Sequence, residues 1–566
     1  MTSARLRQRV KQIAAAAAMV LAAAAQTTAV AAEEPAVGTG PLGIRGYRND
    51  WTGRYPDADP VTAWDLEKGV NVLWRLPTSK FGNGGPLVVG DRLIFIIEQA
   101  NVVCVDKMTG KVLWTSAGSS PDQYAALLAP DPNATPWSRR PLKYGEYSGL
   151  TFATPVTDGK RLWLKLDNTA VCLDLSDGKR LWATPLHLAP GDHPHSIASP
   201  LLVGNVLICQ GGSTDYWQEK SANRIADGVL PPNPSKGKFW QWMIGLDART
   251  GKVLWDIGPL NGSEYGLAGP PGPLLIDDGG KRRVFVVTHE GQVVDPETGR
   301  LVLASAGGRA GSTGATPLGN RMMFKRRLVE FAMGEDGSLR TVNALVLPRE
   351  AGVYHNRRIY TCYRAPDKIT RLMSVIDADA GRELHSDVRL GPEGGLKPED
   401  PKIDGSWDFP KPAVAGRFLF LCSTHTVAVA DISRDRPCPM ALNPVERMHV
   451  APVFDGNRTY LRTYDALYCL ARKGKDGARY EQQVNARALL AALASPAEPR
   501  GNAETATMAA KGPPAVEADP AAVDAARQAL ANEWRDRLRR VVQSLPGTPE
   551  AAQAEALLKA APSSED

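Results

Sequence analysis

Side chains able to act as acids, bases or metal ligands occur in small groups between apolar, strand-like segments. Glutamate precedes tyrosine twice, two histidines flank a proline, and tryptophan precedes aspartate. Our candidate ligand-binding residues are Glu146, Tyr147, His193, His195, Glu264, Tyr265, Trp407, Asp408 and His449. Brought together, they would suit a polar ligand or a metal ion, because imidazole and carboxylate are common metal ligands. Since a metal would need ligands beyond the paired histidines, and such histidines are more often hydrogen-bonded turn residues, we predict no metal site.

Signatures of several enzyme classes are missing from the sequence. It contains no GxSxG nucleophile motif, no HExxH, no phosphate-binding glycine loop, and no CxxC or CxxCH. The formal net charge of +6 is dispersed along the chain, and its basic clusters lie within strand-like runs. Charge at the edges of strands discourages unwanted pairing, so we predict no nucleic-acid partner. The sequence favours a protein without catalytic activity.

A recurring phrase identifies the elements that must position the candidate residues. An apolar strand ends at aspartate, a tight turn closes on glycine, and a second strand carries tryptophan, as in VVCVDKMTGKVLW from 102 to 114. Aspartate can cap such a turn, and glycine supplies a positive φ. We assign a structural role to the aspartate, glycine and tryptophan of the three most complete copies: Asp106, Gly110, Trp114, Asp174, Gly178, Trp182, Asp247, Gly251 and Trp255.

This phrase resembles the pyrroloquinoline-quinone (PQQ) binding-like β-propeller repeat, which is found in quinoprotein alcohol dehydrogenases and in outer-membrane assembly lipoproteins of the BamB type. The resemblance spans roughly residues 70 to 480 and weakens after the third copy. It implies an all-β propeller of four-stranded antiparallel blades. Strand-opening phrases number eight, so we predict eight blades, with seven as the alternative. We expect the segment from Gly69 to Leu76 to supply the last strand of the last blade and so close the ring.

Members of the family that are dehydrogenases hold PQQ at the centre of the ring with a Ca²⁺ or lanthanide ion, and a vicinal disulfide often stacks on the quinone. No two of the seven cysteines in this chain are adjacent, so that disulfide cannot form here. No aspartate motif marks a catalytic loop either. We therefore predict no cofactor, with PQQ and calcium as the less favoured alternative.

Composition divides the chain into five segments. Residues 1–32 have a basic start, an alanine-rich apolar run and small residues at Ala29 and Ala31, the pattern of a cleaved signal peptide. Residues 33–69 form an N-terminal extended segment, 70–484 the propeller, 485–519 a flexible Ala/Pro-rich linker, and 520–566 a helical tail. Asp519 with Pro520, and Thr548 with Pro549, are typical of helix starts. The sequence leaves two alternatives for these helices: a pair that docks on a partner or back on the propeller, or a plain helical tail.

These features favour an exported protein, periplasmic or secreted, whose propeller presents its channel mouth to a protein or polysaccharide. The segments that lead into each first strand, with the candidate residues, would form that surface. One alternative is an enzyme, either a divergent PQQ-dependent dehydrogenase or a hydrolase or lyase that uses the channel mouth. Another is an envelope assembly factor similar to BamB. The sequence predicts no transmembrane anchor after signal cleavage, because no later segment has about 20 uninterrupted apolar residues.

Overall fold

The backbone forms a closed ring of eight antiparallel sheets. The computed structural model describes residues 42–78, 84–97, 101–117, 153–166, 169–186, 198–213, 240–260, 269–308, 310, 314–350, 352–364, 371–390, 412–423, 425–494, 532 and 534–560. In each sheet the strands are neighbours in chain order, except that the N-terminal side supplies the fourth strand of the last sheet and an additional fifth strand in the seventh. First strands contact one another between the second and third, fourth and fifth, sixth and seventh, and eighth and first sheets, so the sheets are blades around a central channel.

The strands are short, and each blade runs from its first strand at the channel to its fourth at the rim. The first four blades contain β3 (Leu87–Val89), β4 (Arg92–Ile97), β5 (Asn101–Asp106), β6 (Val112–Ala117); β7 (Val156–Thr157), β8 (Arg161–Leu166), β9 (Thr169–Asp174), β10 (Arg180–Pro185); β11 (Leu201–Val203), β12 (Val206–Ser213), β13 (Trp240–Asp247), β14 (Val253–Leu260); and β15 (Gly272–Asp278), β16 (Lys281–Val287), β17 (Val293–Val294), β18 (Leu301–Leu303).

The remaining four blades complete the ring and use the two N-terminal strands. They contain β19 (Thr316–Leu318), β20 (Arg321–Met323), β21 (Arg327–Met333), β22 (Leu339–Val346); β23 (Val353–His355), β24 (Arg358–Arg364), β25 (Arg371–Asp377), β26 (Glu383–Arg389); β27 (Ala413–Ala415), β28 (Phe418–Cys422), β29 (Thr426–Asp431), β30 (Cys438–Pro444), with β1 (Arg54–Tyr55) added beside β27; and β31 (Val453–Asp455), β32 (Arg458–Arg462), β33 (Ala466–Leu470), β2 (Val72–Pro77). The predicted eight-bladed fold is confirmed, and the seven-bladed alternative is excluded.

The ring is closed by β2, as the sequence predicts. This strand pairs antiparallel with β33, and Trp74 lies opposite Cys469. Trp114 lies opposite Cys104 in the same way within the first blade. The N-terminal strand therefore supplies the fourth position of the eighth blade, and the pairing leaves no open edge inside the ring.

The recurring phrase forms the turn between the third and fourth strands of a blade. In the first copy, Asp106 accepts hydrogen bonds from the Thr109 backbone nitrogen at 2.8 Å and from the Thr109 hydroxyl at 2.8 Å. In the second copy, Asp174 accepts bonds from the Ser176 nitrogen at 2.8 Å and from the Ser176 hydroxyl at 2.6 Å. The carboxylate thus satisfies the turn's backbone donors, which would otherwise be left for solvent.

Tryptophan in one blade holds the turn of the next. Trp114 of the first blade donates from Nε1 to the Leu175 carbonyl at 3.2 Å. Its ring lies against Gly178 so closely that an added Cβ would stand 2.5 Å from Trp114 Cε3. The same contact joins three further pairs, Trp74 with Gly110, Trp182 with Gly251, and Trp255 with Gly299. The phrase is therefore a tie between successive blades, with the ring in one repeat and the glycine in the next.

This arrangement explains why the phrase weakens along the chain. Leu303 stands where the fourth blade would have tryptophan, and the turn of the fifth blade has Gly337, which nothing touches within 4 Å. In the sixth blade His385 takes the tryptophan position, and its Nε2 lies 3.1 Å from Asp435 in the next blade. The tryptophan ring and the glycine that it contacts belong to successive repeats. Where the tryptophan is lost from one blade, the turn of the next blade no longer has a ring packed against its glycine.

Acid should weaken these turns. Hydrogen bonds from the Thr109 hydroxyl and backbone hold the pKa of Asp106 below its ordinary 3.8, and bonds from Ser176 do the same for the pKa of Asp174. A carboxyl whose folded pKa is depressed contributes stability that is full above the unfolded value and is lost as pH falls through the folded value. We therefore expect the midpoint of thermal unfolding to fall as pH drops below about 4.

A double variant and a control variant measure how much of the acid dependence comes from the turn aspartates. A double variant, Asp106→Asn with Asp174→Asn, keeps one acceptor oxygen at each turn but cannot titrate, so its midpoint should fall less steeply with acid than that of the wild type. Glu297→Gln changes an exposed carboxylate in the fourth copy of the turn and should leave the slope unchanged. Scanning calorimetry between about pH 2 and pH 6 provides the measurement. Identical slopes for all three proteins would show that the turn aspartates do not carry the acid dependence.

A long helix follows the last strand directly. Helix α1 (Gly474–Ala494) begins inside the segment that the sequence assigns to the propeller and continues into the predicted linker. It packs along the rim strand β30, with Leu489 and Leu490 buried in a cluster that includes Cys438. The sequence-based boundary at 484 missed this helix because its alanine-rich composition resembles that of the linker that follows it.

The C-terminal helices pack on the propeller through α1. Residues 534–544 form α2, and α3 spans Pro549–Ala560. Thr548 caps α3 by accepting a bond from the Ala551 nitrogen at 3.3 Å, with proline in the first helical position as predicted. Leu538, Val541 and Ala554 join the cluster on β30. The described part of the helical tail is therefore docked on the rim of the seventh blade. The predicted helix start at Asp519 and Pro520 lies outside the described residues.

Candidate functional site at the channel mouth

The two faces of the propeller differ in the connections they carry. First strands begin, and second strands end, at one face, which we call the mouth face. Tight turns between first and second strands, such as that around Gly456, lie at the opposite face, which we call the turn face. The segments that contain the nine candidate residues connect fourth strands to first strands, so the described strands on either side place both ends of each segment at the mouth face.

Eight of the nine candidates lie outside the described residues: Glu146, Tyr147, His193, His195, Glu264, Tyr265, Trp407 and Asp408. The ninth, His449, lies just before β31. A ring nitrogen of His449 is 2.9 Å from the Tyr464 hydroxyl, and the two rings meet edge to face with centroids 4.8 Å apart. The convergence of all nine side chains on one ligand stays a prediction.

The centre of the ring is filled by the chain's own N-terminal segment. Residues 44–55 run into the channel along the second blade, reverse direction, and run out along the seventh blade. We call this segment the channel hairpin. Arg45 exchanges backbone hydrogen bonds with Thr157 of the second blade at 3.0 and 2.8 Å. On the return, β1 pairs in parallel with β27, and the Val414 nitrogen donates to the Gly53 carbonyl at 2.9 Å.

The tip of the channel hairpin lies level with the starts of the first strands. Trp51 is 2% exposed and donates from Nε1 to the Pro271 carbonyl of the fourth blade at 3.0 Å. Arg48 donates from Nη2 to the Pro412 carbonyl of the seventh blade. On the way out, the Arg54 guanidinium lies 6.0 Å from the ring centroid of Tyr354 in the sixth blade. The channel hairpin is therefore fastened to blades on several sides of the ring.

The reversal uses unusual backbone conformations. Arg48, Asn49 and Trp51 have φ values of 51°, 70° and 70°. Positive φ is disfavoured for residues with a side chain, most of all for a bulky one such as tryptophan. The backbone persists in this shape because the surrounding packing and the hydrogen bonds from Trp51 and Arg48 fix the side chains.

Past the channel hairpin, the chain crosses the turn face and is clamped by α1. The Asp59 nitrogen donates to the Gly456 carbonyl at 2.9 Å. Buried Glu481 of α1 accepts bonds from the Thr62 nitrogen and hydroxyl, both at 3.1 Å, and pairs with Arg472 at 3.1 Å. The helix and the N-terminal segment thus stabilise each other.

Sequence reasoning missed the channel hairpin and assigned residues 33–69 to an extended segment. A local signal was present, because GYRNDWTGRY from 46 to 55 combines turn-forming glycine, asparagine and aspartate with three aromatic residues. That composition indicates a compact, buried turn better than an extended strand. It does not indicate which part of the fold would bury it.

Charge on the channel hairpin comes mainly from arginine. The channel hairpin contains Arg45, Arg48 and Arg54 against one acid, Asp50, whose carboxylate accepts bonds from the Thr52 nitrogen at 3.1 Å and the Thr52 hydroxyl at 2.5 Å. Burial raises the pKa of the Tyr55 phenol and of the Cys422 thiol beside it, so both stay neutral near pH 7. The enclosed tip is therefore positively charged.

These residues do not fit a quinone at the ring centre, the position that the resemblance implies for PQQ. The channel hairpin occupies that position with its backbone and with the buried side chains of Ile44 and Trp51. Within the described ranges, no group of three histidine, cysteine or acidic side chains could hold a metal ion. Six of the seven cysteines are buried thiols. We therefore derive no chemistry through PQQ.

Comparison with known proteins agrees with the fold. A family model described as outer membrane protein assembly factor BamB matches residues 18–215, less than half of the chain. A search of the curated proteins found no match to the sequence. Its eight blades and its recurring phrase make the chain a β-propeller with PQQ-like repeats, and over residues 18–215 it is similar to that family.

Solved structures that resemble the chain include BamB from Moraxella catarrhalis, at 11% identity and a TM-score of 0.41, covering 71% of this chain and 98% of that one. A europium-containing methanol dehydrogenase has 12% identity and a TM-score of 0.39, covering 76% and 98%. The computationally designed Ika8 protein has 11% identity and a TM-score of 0.39, covering 74% and 99%. At these values the likenesses carry no argument about function, which rests on the chain's own residues.

Proposed function

We propose that the chain is an exported, non-catalytic binding or scaffold protein whose mouth face binds a protein or polysaccharide. The observation that carries this proposal is the channel hairpin. It occupies the ring centre with the protein's own residues and leaves a surface at the mouth rather than an open channel. The candidate residues in the segments around it, among them Tyr147 and Trp407, supply aromatic groups of the kind that anchor interfaces.

Export follows in this proposal from the signal-peptide pattern of residues 1–32. Among the residues that the structure describes, no helix is both long and apolar enough to cross a membrane. N-terminal sequencing of the protein recovered from an envelope fraction should find a mature chain that starts near Ala32 or Glu33. A chain that retains Met1 would contradict export by cleavage.

Site-specific photocrosslinking tests the binding surface. A photoreactive amino acid replaces Arg447, exposed at the mouth face beside His449, or Met108, which is 50% exposed at the turn face and serves as the control. We expect a discrete protein adduct, or co-sedimentation with cell-wall polysaccharide, from position 447 and none from position 108. Paired changes Tyr147→Ala and Trp407→Ala should weaken the same interaction. Equal labelling at both faces would contradict a mouth-face site.

The non-catalytic part of the proposal has its own test. The mature protein is incubated with PQQ and Ca²⁺ and assayed with alcohols and sugars in the presence of a dye acceptor. We expect no turnover above that of the same protein without PQQ. Quinone-dependent turnover would overturn the proposal and favour a divergent dehydrogenase.

A further inference from the structure

Arg48 at the tip of the channel hairpin carries a guanidinium that its surroundings satisfy only in part. Nη2 donates to the Pro412 carbonyl. Nε and Nη1 are enclosed and have no hydrogen-bond partner. An arginine carries one N–H on Nε and two on Nη1, so most of its donor capacity is unused here. Nearly all buried polar groups in proteins have partners, and an exception calls for a physical explanation.

The charge of Arg48 also has no bonded counter-ion in the described part of the chain. The Asp50 carboxylate acts on it only through space, because the hydrogen bonds of that carboxylate go to Thr52. The thiol of Cys422 and the phenol of Tyr55, which lie close by, are kept neutral by burial. Burial also lowers the pKa of Arg48 itself, although a guanidinium stays protonated at neutral pH. The site therefore holds a positive charge in a medium of low dielectric constant, where an unpaired charge is strongly unfavourable.

We propose that the Arg48 guanidinium binds a carboxylate or similar oxyanion at the channel mouth. A water molecule accepts hydrogen bonds but carries no charge, whereas an oxyanion accepts the free N–H bonds and adds a counter-charge beside the guanidinium. Arg45 and Arg54 on the same hairpin increase the positive potential around the site. Arg48 as a whole is half-buried, but its Nε and Nη1 are enclosed, so an anion reaches these two nitrogens only when the tip of the channel hairpin moves.

The occupant could be a free small anion or the acidic group of a larger partner. This inference goes beyond the proposed partner binding and does not depend on it. The thermal unfolding midpoint of the mature protein is measured in low-chloride buffer with acetate, with inorganic phosphate, and with a short peptide that has a free or an amidated C-terminus. Arg48→Gln removes the charge at the site. Arg357→Gln makes the same change at a side chain that is 79% exposed on the turn face.

We expect millimolar acetate or phosphate to raise the midpoint of the wild type and of Arg357→Gln by about 1–2 °C more than that of Arg48→Gln. General salt effects on stability act on all three proteins alike, so the difference reports the site. A larger shift from the free-carboxylate peptide than from its amide would identify a chain end as the source, and shifts from the small anions alone would identify a free anion.

Equal anion shifts in the wild type and Arg48→Gln, or no shift in the wild type, would overturn the proposal. Since the test uses no macromolecule, its failure would leave the crosslinking result unaffected. The two proposals can therefore fail separately.

Discussion

Gly178→Ala should lower the free energy of unfolding by about 2–5 kcal/mol. The loss combines the cost of an unfavourable backbone conformation with the cost of a steric overlap. Gly178 has a φ of 75°, a conformation that costs an alanine about 1–2 kcal/mol. Its new Cβ would also stand 2.5 Å from Cε3 of Trp114, and relief of that overlap requires the ring or the turn to shift, at about 1–3 kcal/mol.

Gly204→Ala separates the two contributions. Gly204 has a φ of 56° in another tight turn of the ring, and nothing lies within 4 Å of its Cβ position. We expect a loss of only about 1–2 kcal/mol there, from the backbone alone. Urea unfolding of both variants gives their free energies of unfolding. Equal losses of free energy would mean that the Trp114 ring moves aside at no energetic cost.

A double-mutant cycle identifies the tie directly. In a Trp114→Ala background the ring is absent, so Gly178→Ala should cost little more than Gly204→Ala does. The coupling between the two changes measures the contact between the first and second blades. Strict additivity of the two losses would contradict the explanation given for the recurring phrase.

Trp51→Ala should cost about 3–5 kcal/mol, the second large effect that we expect. The ring of Trp51 is 2% exposed and packs against Gly46 and Val156, and its Nε1 holds the Pro271 carbonyl at 3.0 Å. Alanine at this position keeps the disfavoured positive φ but loses the packing that maintains it. The tip of the channel hairpin should loosen in consequence.

Limited proteolysis with urea unfolding provides the measurement. Trp51→Phe retains an aromatic ring and loses the Nε1 donor, so it should cost less than alanine and show how much of the effect is packing. In Trp51→Ala we expect cleavage near residues 44–55 before the blades are cut. A loss below about 1 kcal/mol, with no change in cleavage, would show that the channel hairpin is not fixed by this side chain.

Trp51→Ala also connects stability with the proposed binding. The tip that carries Trp51 also carries Arg48, so loosening it should reduce the difference in anion response between the wild type and Arg48→Gln. A variant that unfolds more easily yet keeps the full anion response would separate the structural role of the channel hairpin from the proposed site.

The sequence by itself determined the ring. Its repeat places aspartate, glycine and tryptophan at fixed spacing, and each of these acts through local geometry or through the adjacent repeat, as Asp106 does with Thr109 and Trp114 with Gly178. Such signals recur with the period of the blade and can be recognised without coordinates. The closing strand around Trp74 was predictable for the same reason, because it continues the pattern at the other end of the chain.

The contents of the channel were decided only by tertiary structure. The channel hairpin is held by Thr157, Pro271 and Pro412, which are between about 110 and 365 positions away in the chain, so no local pattern encodes the contacts. Helix α1 likewise gains its burial from the rim strand β30 rather than from its own sequence. Of the candidate residues, only His449 is placed by the structure, and the unsatisfied Arg48 was not among them. Whether a donor lacks a partner depends on all that surrounds it, and a sequence does not contain that information until the chain has folded.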